Sequence, residues 1–245
     1  MRAMILAAGL GTRLRPLTNT VPKALVPVAG RPLIEYSLLF LRSQGIMEVV
    51  INLHHFGEKI RAALGDGSLY GMRIFYSPED PLLETGGGIK NAQALLDGET
   101  FVVMNSDTIL NLNLQEALAF HREKQAVATL VLRSDPDIDQ YGILQINDQG
   151  RIRRIREHVL NVDESLSSYM FTGLQILEPR VFDFMPEVKP FSTTRETYPR
   201  MMQAGEPLYG FVHTGPWMVV DDQTGVARAT QALISGQVRL SYLRP

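Results

Sequence analysis

Apolar residues run unbroken from Ala3 to Ala8 and stop at Gly9, as in a strand covered on both faces. Residues 9–31 carry no period and are expected to form a long loop. Pro32 suits the opening of a helix, Leu33, Ile34, Ser37, Leu38 and Leu41 form its inner stripe, and it should end near Gly45. Further strands are predicted at Met47–Leu53, Arg73–Tyr76, Phe101–Met104 and Ala126–Leu132. Between them lie helices at Gly57–Leu64, Gly88–Leu96 and Leu114–Lys124. This alternation predicts an α/β fold, a Rossmann-like, mostly parallel sheet with helices on both faces.

After residue 133 the rhythm changes. Tyr141–Ile146 and Arg151–Arg156, joined by Asn147-Asp148-Gln149-Gly150, read as a hairpin. Strands are expected at Tyr169–Leu177, Leu208–Val212 and Trp217–Val220, with helices at Glu196–Gln203 and Thr224–Ser235. No Pro-, Gly- or Ser-rich linker, repeat or low-complexity tract interrupts the chain. A single domain over residues 1–245 is therefore expected, with one half at about 1–110 and an antiparallel elaboration at about 111–245.

Composition narrows the class. With 24 Lys and Arg against 26 Asp and Glu, the net charge of −2 argues against nucleic-acid or anionic-membrane binding. The absence of cysteine excludes disulfides, thiolate zinc sites and a cysteine nucleophile. The longest mainly apolar run, Ala126–Leu132, falls far short of the ~20 residues that span a bilayer. The apolar stretch before Gly9 is too short for a signal-peptide core, so a soluble, cytoplasmic protein is expected.

The chemistry concentrates in Leu6-Ala7-Ala8-Gly9-Leu10-Gly11-Thr12-Arg13-Leu14-Arg15-Pro16-Leu17-Thr18, followed by Pro22-Lys23. It begins at the carboxyl end of the first strand, where ligands collect in open α/β sheets. Small residues at 7, 8, 9 and 11 let backbone N–H groups approach a base or a phosphate. Arg13 offers a planar fork for phosphate oxygens and Lys23 a point charge. Leu14 stands where a dinucleotide fingerprint needs its third glycine, and no Gly-Lys-Ser/Thr of a P-loop occurs. In Leu83-Glu84-Thr85-Gly86-Gly87-Gly88, Thr85 is placed to cap the next helix, and the glycines are expected to leave open space for a base edge. His54-His55 lack the spacing of a metal site, and Trp217 reads as core.

The stretch Leu6–Thr18 with Pro22-Lys23 closely resembles the signature loop of sugar-1-phosphate nucleotidylyltransferases. Val26–Tyr36 and Leu83–Gly88 look like the segments that follow it in that family, and Asn105-Ser106-Asp107 is similar to its Asn-Gly-Asp. Tyr141-Gly142, Arg156-Glu157, Thr172-Gly173 and Gly215-Pro216-Trp217 fall where the family has its sugar pocket and final strand. The resemblance implies that a nucleoside triphosphate and a sugar 1-phosphate give a nucleoside-diphosphate sugar and pyrophosphate, with Mg²⁺ as cofactor. It implies Arg13, Lys23 and Asp107 as catalytic residues, and Leu6, Ala7, Ala8, Gly9, Gly11, Thr12, Arg13, Glu84 and Gly87 as nucleotide-binding residues. Gly142, Glu157 and Gly173 would bind sugar, and Asp107 the metal.

Two positions depart from the pattern. Val219 stands where the family has its second metal carboxylate, with Asp221 two residues on as a substitute ligand. His158 replaces the usual lysine after Glu157. An impaired family member that binds nucleotide or sugar nucleotide as a sensor or regulatory partner is thus the alternative to an enzyme. The apolar residues of Val238–Leu243 are expected to be exposed and to offer a homodimer contact.

Overall fold

A computed structural model describes residues 1–136, 138, 142–160 and 163–243. In chain order its strands are β1 (Ala3–Leu6), β2 (Pro27–Val28), β3 (Arg31–Pro32), β4 (Glu48–Leu53), β5 (Arg73–Pro78), β6 (Phe101–Asn105) and β7 (Thr108–Leu110). They continue with β8 (Ala128–Arg133), β9 (Ile143–Ile146), β10 (Ile152–Ile155), β11 (His158–Val159), β12 (Ser167–Leu177), β13 (Leu208–Val212) and β14 (Trp217–Val219). The helices are α1 (Leu33–Ser43), α2 (Gly57–Leu64), α3 (Glu84–Asn91), α4 (Gln93–Leu96), α5 (Leu114–Glu123), α6 (Tyr198–Gln203) and α7 (Gln223–Ile234). The fold is mixed α/β, with a mostly parallel sheet flanked by helices. Among the described residues no helix is long and apolar enough to cross a membrane.

The chain divides into two compact units. One comprises Met1–Leu82, Met104–Leu112 and Gly215–Pro245, the other Leu83–Val103 and Asn113–Thr214.

In the first unit β4 runs parallel to β1 (Ala3 beside Val49) and to β5 (Val50 beside Phe75). Val49, Val50 and Ile51 are fully buried, as their unbroken apolar run requires. The expected loop 9–31 holds three short 3₁₀ turns and the small β2–β3 hairpin. Every residue of the α1 stripe read from the sequence is buried. Val28, Leu33, Tyr36, Ile109, Val220, Ala229 and Leu240 form one apolar cluster, inside which Tyr36 donates its hydroxyl hydrogen bond to the Val28 carbonyl at 2.8 Å. The C-terminal segment differs from expectation: Leu240 is buried, and Val238, Tyr242 and Leu243 pack against this cluster. Val238, Tyr242 and Leu243 remain partly exposed, so only part of the apolar surface expected to be exposed is covered within the unit.

In the second unit β12 lies antiparallel to β8 and β9, β9 and β10 form the expected hairpin, and β13 joins β8 in parallel. The register of β12 against β8 shifts between Phe171 and Gln175, and Gly173 with φ +90° sits in that irregularity. The helix expected from Glu196 opens as a π-helical turn at Thr193–Thr197 before α6. The expected helix Gly88–Leu96 instead begins at Glu84, so Thr85 lies inside α3 and does not cap it.

Candidate functional site

The first unit gathers most of the sequence-predicted polar residues around the exit of β1. Ala7 and Ala8 stay buried while Gly9 and Leu10 emerge, so the loop is anchored at its root and open at its crest. A Cβ at Gly9 would meet nothing within 4 Å. Gly11 is required for another reason: at φ +62° a Cβ there would press on Thr18 Cγ2 at 2.9 Å and Lys23 Cβ at 3.0 Å. Thr18 also donates a hydrogen bond to the Gly11 carbonyl at 2.7 Å. Leu14 is fully buried and fastens the 3₁₀ turn Thr12–Leu14, leaving Arg13 exposed beside it.

Two residues that sequence reasoning missed hold the root of this loop. Asn52, a polar side chain at 2 % exposure inside the otherwise apolar end of β4, accepts a hydrogen bond from Ala7 N–H at 2.6 Å. Its amide donates to Glu79 Oε1 at 2.7 Å, and Glu79 is 5 % exposed. The interruption of an apolar strand by asparagine was the available signal. His54 spends Nδ1 on the Glu79 carbonyl at 3.0 Å, and His55 lies against the Phe56 ring.

Asp107 lies in the turn between β6 and β7. Its backbone is fixed by Val220 N–H, which donates to the Asp107 carbonyl at 2.9 Å, while Ser106 N–H donates to the Leu6 carbonyl at 3.1 Å. One carboxylate oxygen, Oδ2, accepts from Lys23 Nζ at 2.6 Å. The other, Oδ1, is buried and has no hydrogen-bond partner among the described residues. An unpartnered carboxylate oxygen suits a hard cation such as Mg²⁺. No cluster of three or more His, Cys, Asp or Glu that could hold a metal occurs among the described residues.

Arg13 forms a second cation–carboxylate pair, NH1 to Asp221 Oδ2 at 2.6 Å. Asp221, weighed above as a metal ligand, therefore reaches Arg13 rather than sharing Lys23 with Asp107. Val219 stands opposite Thr108 in the β14–β7 ladder and is half-buried, while Met218 and Val220 turn into the apolar cluster. Trp217, expected in the core, is also half-buried.

The second unit carries the remaining predicted residues. Glu84 opens α3 with φ +59°, a strained value for a residue with a side chain. Gly86 and Gly87 do not leave open space. A Cβ on Gly86 would lie 2.2 Å from the Phe191 ring, and one on Gly87 would lie 2.2 Å from the Lys189 carbonyl oxygen. Both backbone N–H groups donate to the Phe191 carbonyl, at 2.8 and 3.2 Å. These glycines exist for close approach of residues 189–191, which overturns the reading of a bare platform. Gly142 has φ +88°, and the Arg156 side chain covers it, with Cζ 3.1 Å from where a Cβ would stand. Tyr141 lies outside the described residues. The Glu157 carboxylate is largely exposed and 3.6 Å from His158 Nε2.

The arrangement in the first unit has the elements that could hold a multiply charged anion. It has a loop with an open crest, two cations held on carboxylates, and one carboxylate oxygen unspent. The family described as "Nucleotidyl transferase" matches residues 2–233. A UTP–glucose-1-phosphate uridylyltransferase of Synechocystis sp. is 32 % identical over 252 residues, covering 98 % of this chain but 65 % of that protein, so the chain spans less than two thirds of that relative. An N-acetylmuramate α-1-phosphate uridylyltransferase of Neisseria meningitidis is 38 % identical over 223 residues, with 90 % of this chain and 93 % of that protein covered. The crystal structure of HddC from Yersinia pseudotuberculosis shares the fold, with TM-score 0.78 at 24 % identity over 95 % of this chain and 99 % of that one.

Proposed function

The chain belongs to the nucleotidyl transferase family, and from that premise we propose that it transfers a nucleotidyl group from a nucleoside triphosphate to a sugar 1-phosphate. A phosphate oxygen of the sugar 1-phosphate forms the new bond to the α-phosphorus. The bond from that phosphorus to the bridging oxygen breaks, and pyrophosphate leaves with the electron pair. The nucleophile is already an anion, so the protein's work is to hold two repelling phosphates in line and to neutralise charge. Backbone N–H groups from Gly9 to Thr12, at the end of Leu6-Ala7-Ala8, take the triphosphate. Arg13 takes the departing pyrophosphate, and Lys23 neutralises the reacting phosphates. Glu84 and Gly87 serve the nucleotide, and Gly142, Glu157 and Gly173 serve the sugar.

Asp107 would hold Mg²⁺ through Oδ1, and Asp221 would reach that ion only by leaving Arg13. When bound, the ion supplies neutralisation of phosphate charge. The observation that carries this reading is the part-buried Lys23–Asp107 pair, with the buried oxygen Oδ1 unspent, beside a loop open at Gly9. One observation favours a second reading, a nucleotide-binding sensor: a valine occupies position 219, where the resemblance assigns a metal carboxylate.

Pyrophosphate release, measured with UTP, GTP and dTTP against glucose, mannose and N-acetylmuramic acid 1-phosphates plus magnesium, decides between them. Turnover with one pair, abolished by Asp107→Asn, supports the enzyme. Triphosphate binding without turnover from any pair supports the sensor.

A further inference from the structure

The Arg13–Asp221 pair is built asymmetrically. Asp221 is the fixed partner: its carboxylate is 17 % exposed, and its chain neighbours are pinned on both sides. Val220 is fully buried and bonded to the Asp107 carbonyl. Asp222 caps α7 by accepting from Gly225 N–H at 2.6 Å. Gln223 then reaches back to donate to the Arg15 carbonyl at 2.7 Å. Arg13 is the loose partner, its side chain 72 % exposed on a backbone that Leu14 and Arg15 hold still. A guanidinium on a fixed backbone can exchange one anion for another without any movement of the fold. Its resident anion is a carboxylate, and a phosphate oxygen binds the same fork in the same way.

We propose that Asp221 is an internal competitor for Arg13, displaced when a polyphosphate binds and reclaiming the guanidinium as pyrophosphate leaves. The inference rests on the reading that Arg13 takes the outer phosphates of the triphosphate. Asp221 then sets selectivity. A ligand whose phosphates reach Arg13 must outbid a carboxylate, whereas a nucleoside monophosphate never meets it. The same competition speeds departure of the product, because the vacated guanidinium has a partner waiting.

The test is equilibrium titration of the native protein, Asp221→Asn, Arg13→Ala and the double variant, each checked for an unchanged melting curve. The probes are inorganic pyrophosphate, UTP, GTP and dTTP, and the matching monophosphates. Asp221→Asn should bind pyrophosphate and the accepted triphosphate about two- to five-fold more tightly, the range an exposed ion pair supports. It should leave the monophosphate unchanged and have no effect in the Arg13→Ala background. Equal tightening of all ligands, or tightening that persists without Arg13, would reduce Asp221 to a diffuse charge and overturn the proposal. So would unchanged or weaker polyphosphate binding. Failure of the native protein to bind any triphosphate would remove the functional reading and this inference together; native binding with no effect of Asp221→Asn removes the inference alone.

Discussion

Asn52 is the point at which the fold holds the loop, and removing its side chain has a calculable effect. In Asn52→Ala the buried Ala7 N–H loses its acceptor at 2.6 Å and Glu79 Oε1 loses a donor at 2.7 Å. A buried polar group deprived of its partner costs about 1–3 kcal/mol, so the two together should lower stability by about 2–6 kcal/mol. For a chain of this length that corresponds to a fall of about 4–24 °C in Tm. Differential scanning calorimetry reads it directly, with triphosphate affinity as the second readout, because the root of the binding loop is released at the same time. Asn52→Asp sharpens the test. It keeps an acceptor for Ala7 N–H but removes the amide donor to Glu79 and sets a second carboxylate beside it, so it too should melt below the native protein. A melting temperature within about 2 °C of native for Asn52→Ala, a shift worth less than about 1 kcal/mol, would refute the reasoning.

Four further outcomes are expected. Gly86→Ala should lose about 1–3 kcal/mol by overpacking, since its Cβ meets the Phe191 ring at 2.2 Å; an unchanged urea midpoint would contradict that contact. Gly9→Ala, where a Cβ meets nothing, should melt like the native protein yet bind triphosphate more weakly, and unaltered binding would take the loop crest out of the site. Burial lowers the His121 pKa below 6.5, with Glu178 only partly offsetting it, so the native state holds the ring neutral. Its contribution to stability is therefore complete above pH 6.5 and lost as pH falls through the lowered value, and His121→Gln should flatten that acid limb of a Tm–pH profile. Val219→Asp, at a half-buried site facing away from the apolar cluster, should fold normally and reach half-maximal turnover at lower magnesium; an unchanged metal titration would refute the register.

Where burial alone decides, the elements could be read from the chain. The run through Val49, Val50 and Ile51 announces β4, Gly57–Leu64 is a helix within its predicted bounds, and the stripe on α1 faces inward as read. What escaped depends on partners distant in sequence. β7 is three residues long and exists because β14 lies against it, so no local period marks it. Gly86 and Gly87 look like a bare turn until residues 189–191 are seen to fill the space above them. The polar residues of the site were legible as types, since Arg13, Lys23 and Asp107 stand in recognisable motifs. Their pairing was not. Which carboxylate holds which cation is fixed by the return of Val219–Gln223 to the first unit, and the Asn52–Glu79 contact joins residues 27 positions apart on β4 and just past β5.

The most direct measurement is a crystal structure of the protein grown with magnesium and the triphosphate it binds best. The β- and γ-phosphates should lie within hydrogen-bond distance of the backbone N–H groups of Gly9–Thr12, with Arg13 on a phosphate oxygen in place of Asp221 and Lys23 facing the α-phosphate. A triphosphate bound elsewhere, with the Arg13–Asp221 pair intact and the crest at Gly9 bare, would contradict the assignment of this loop.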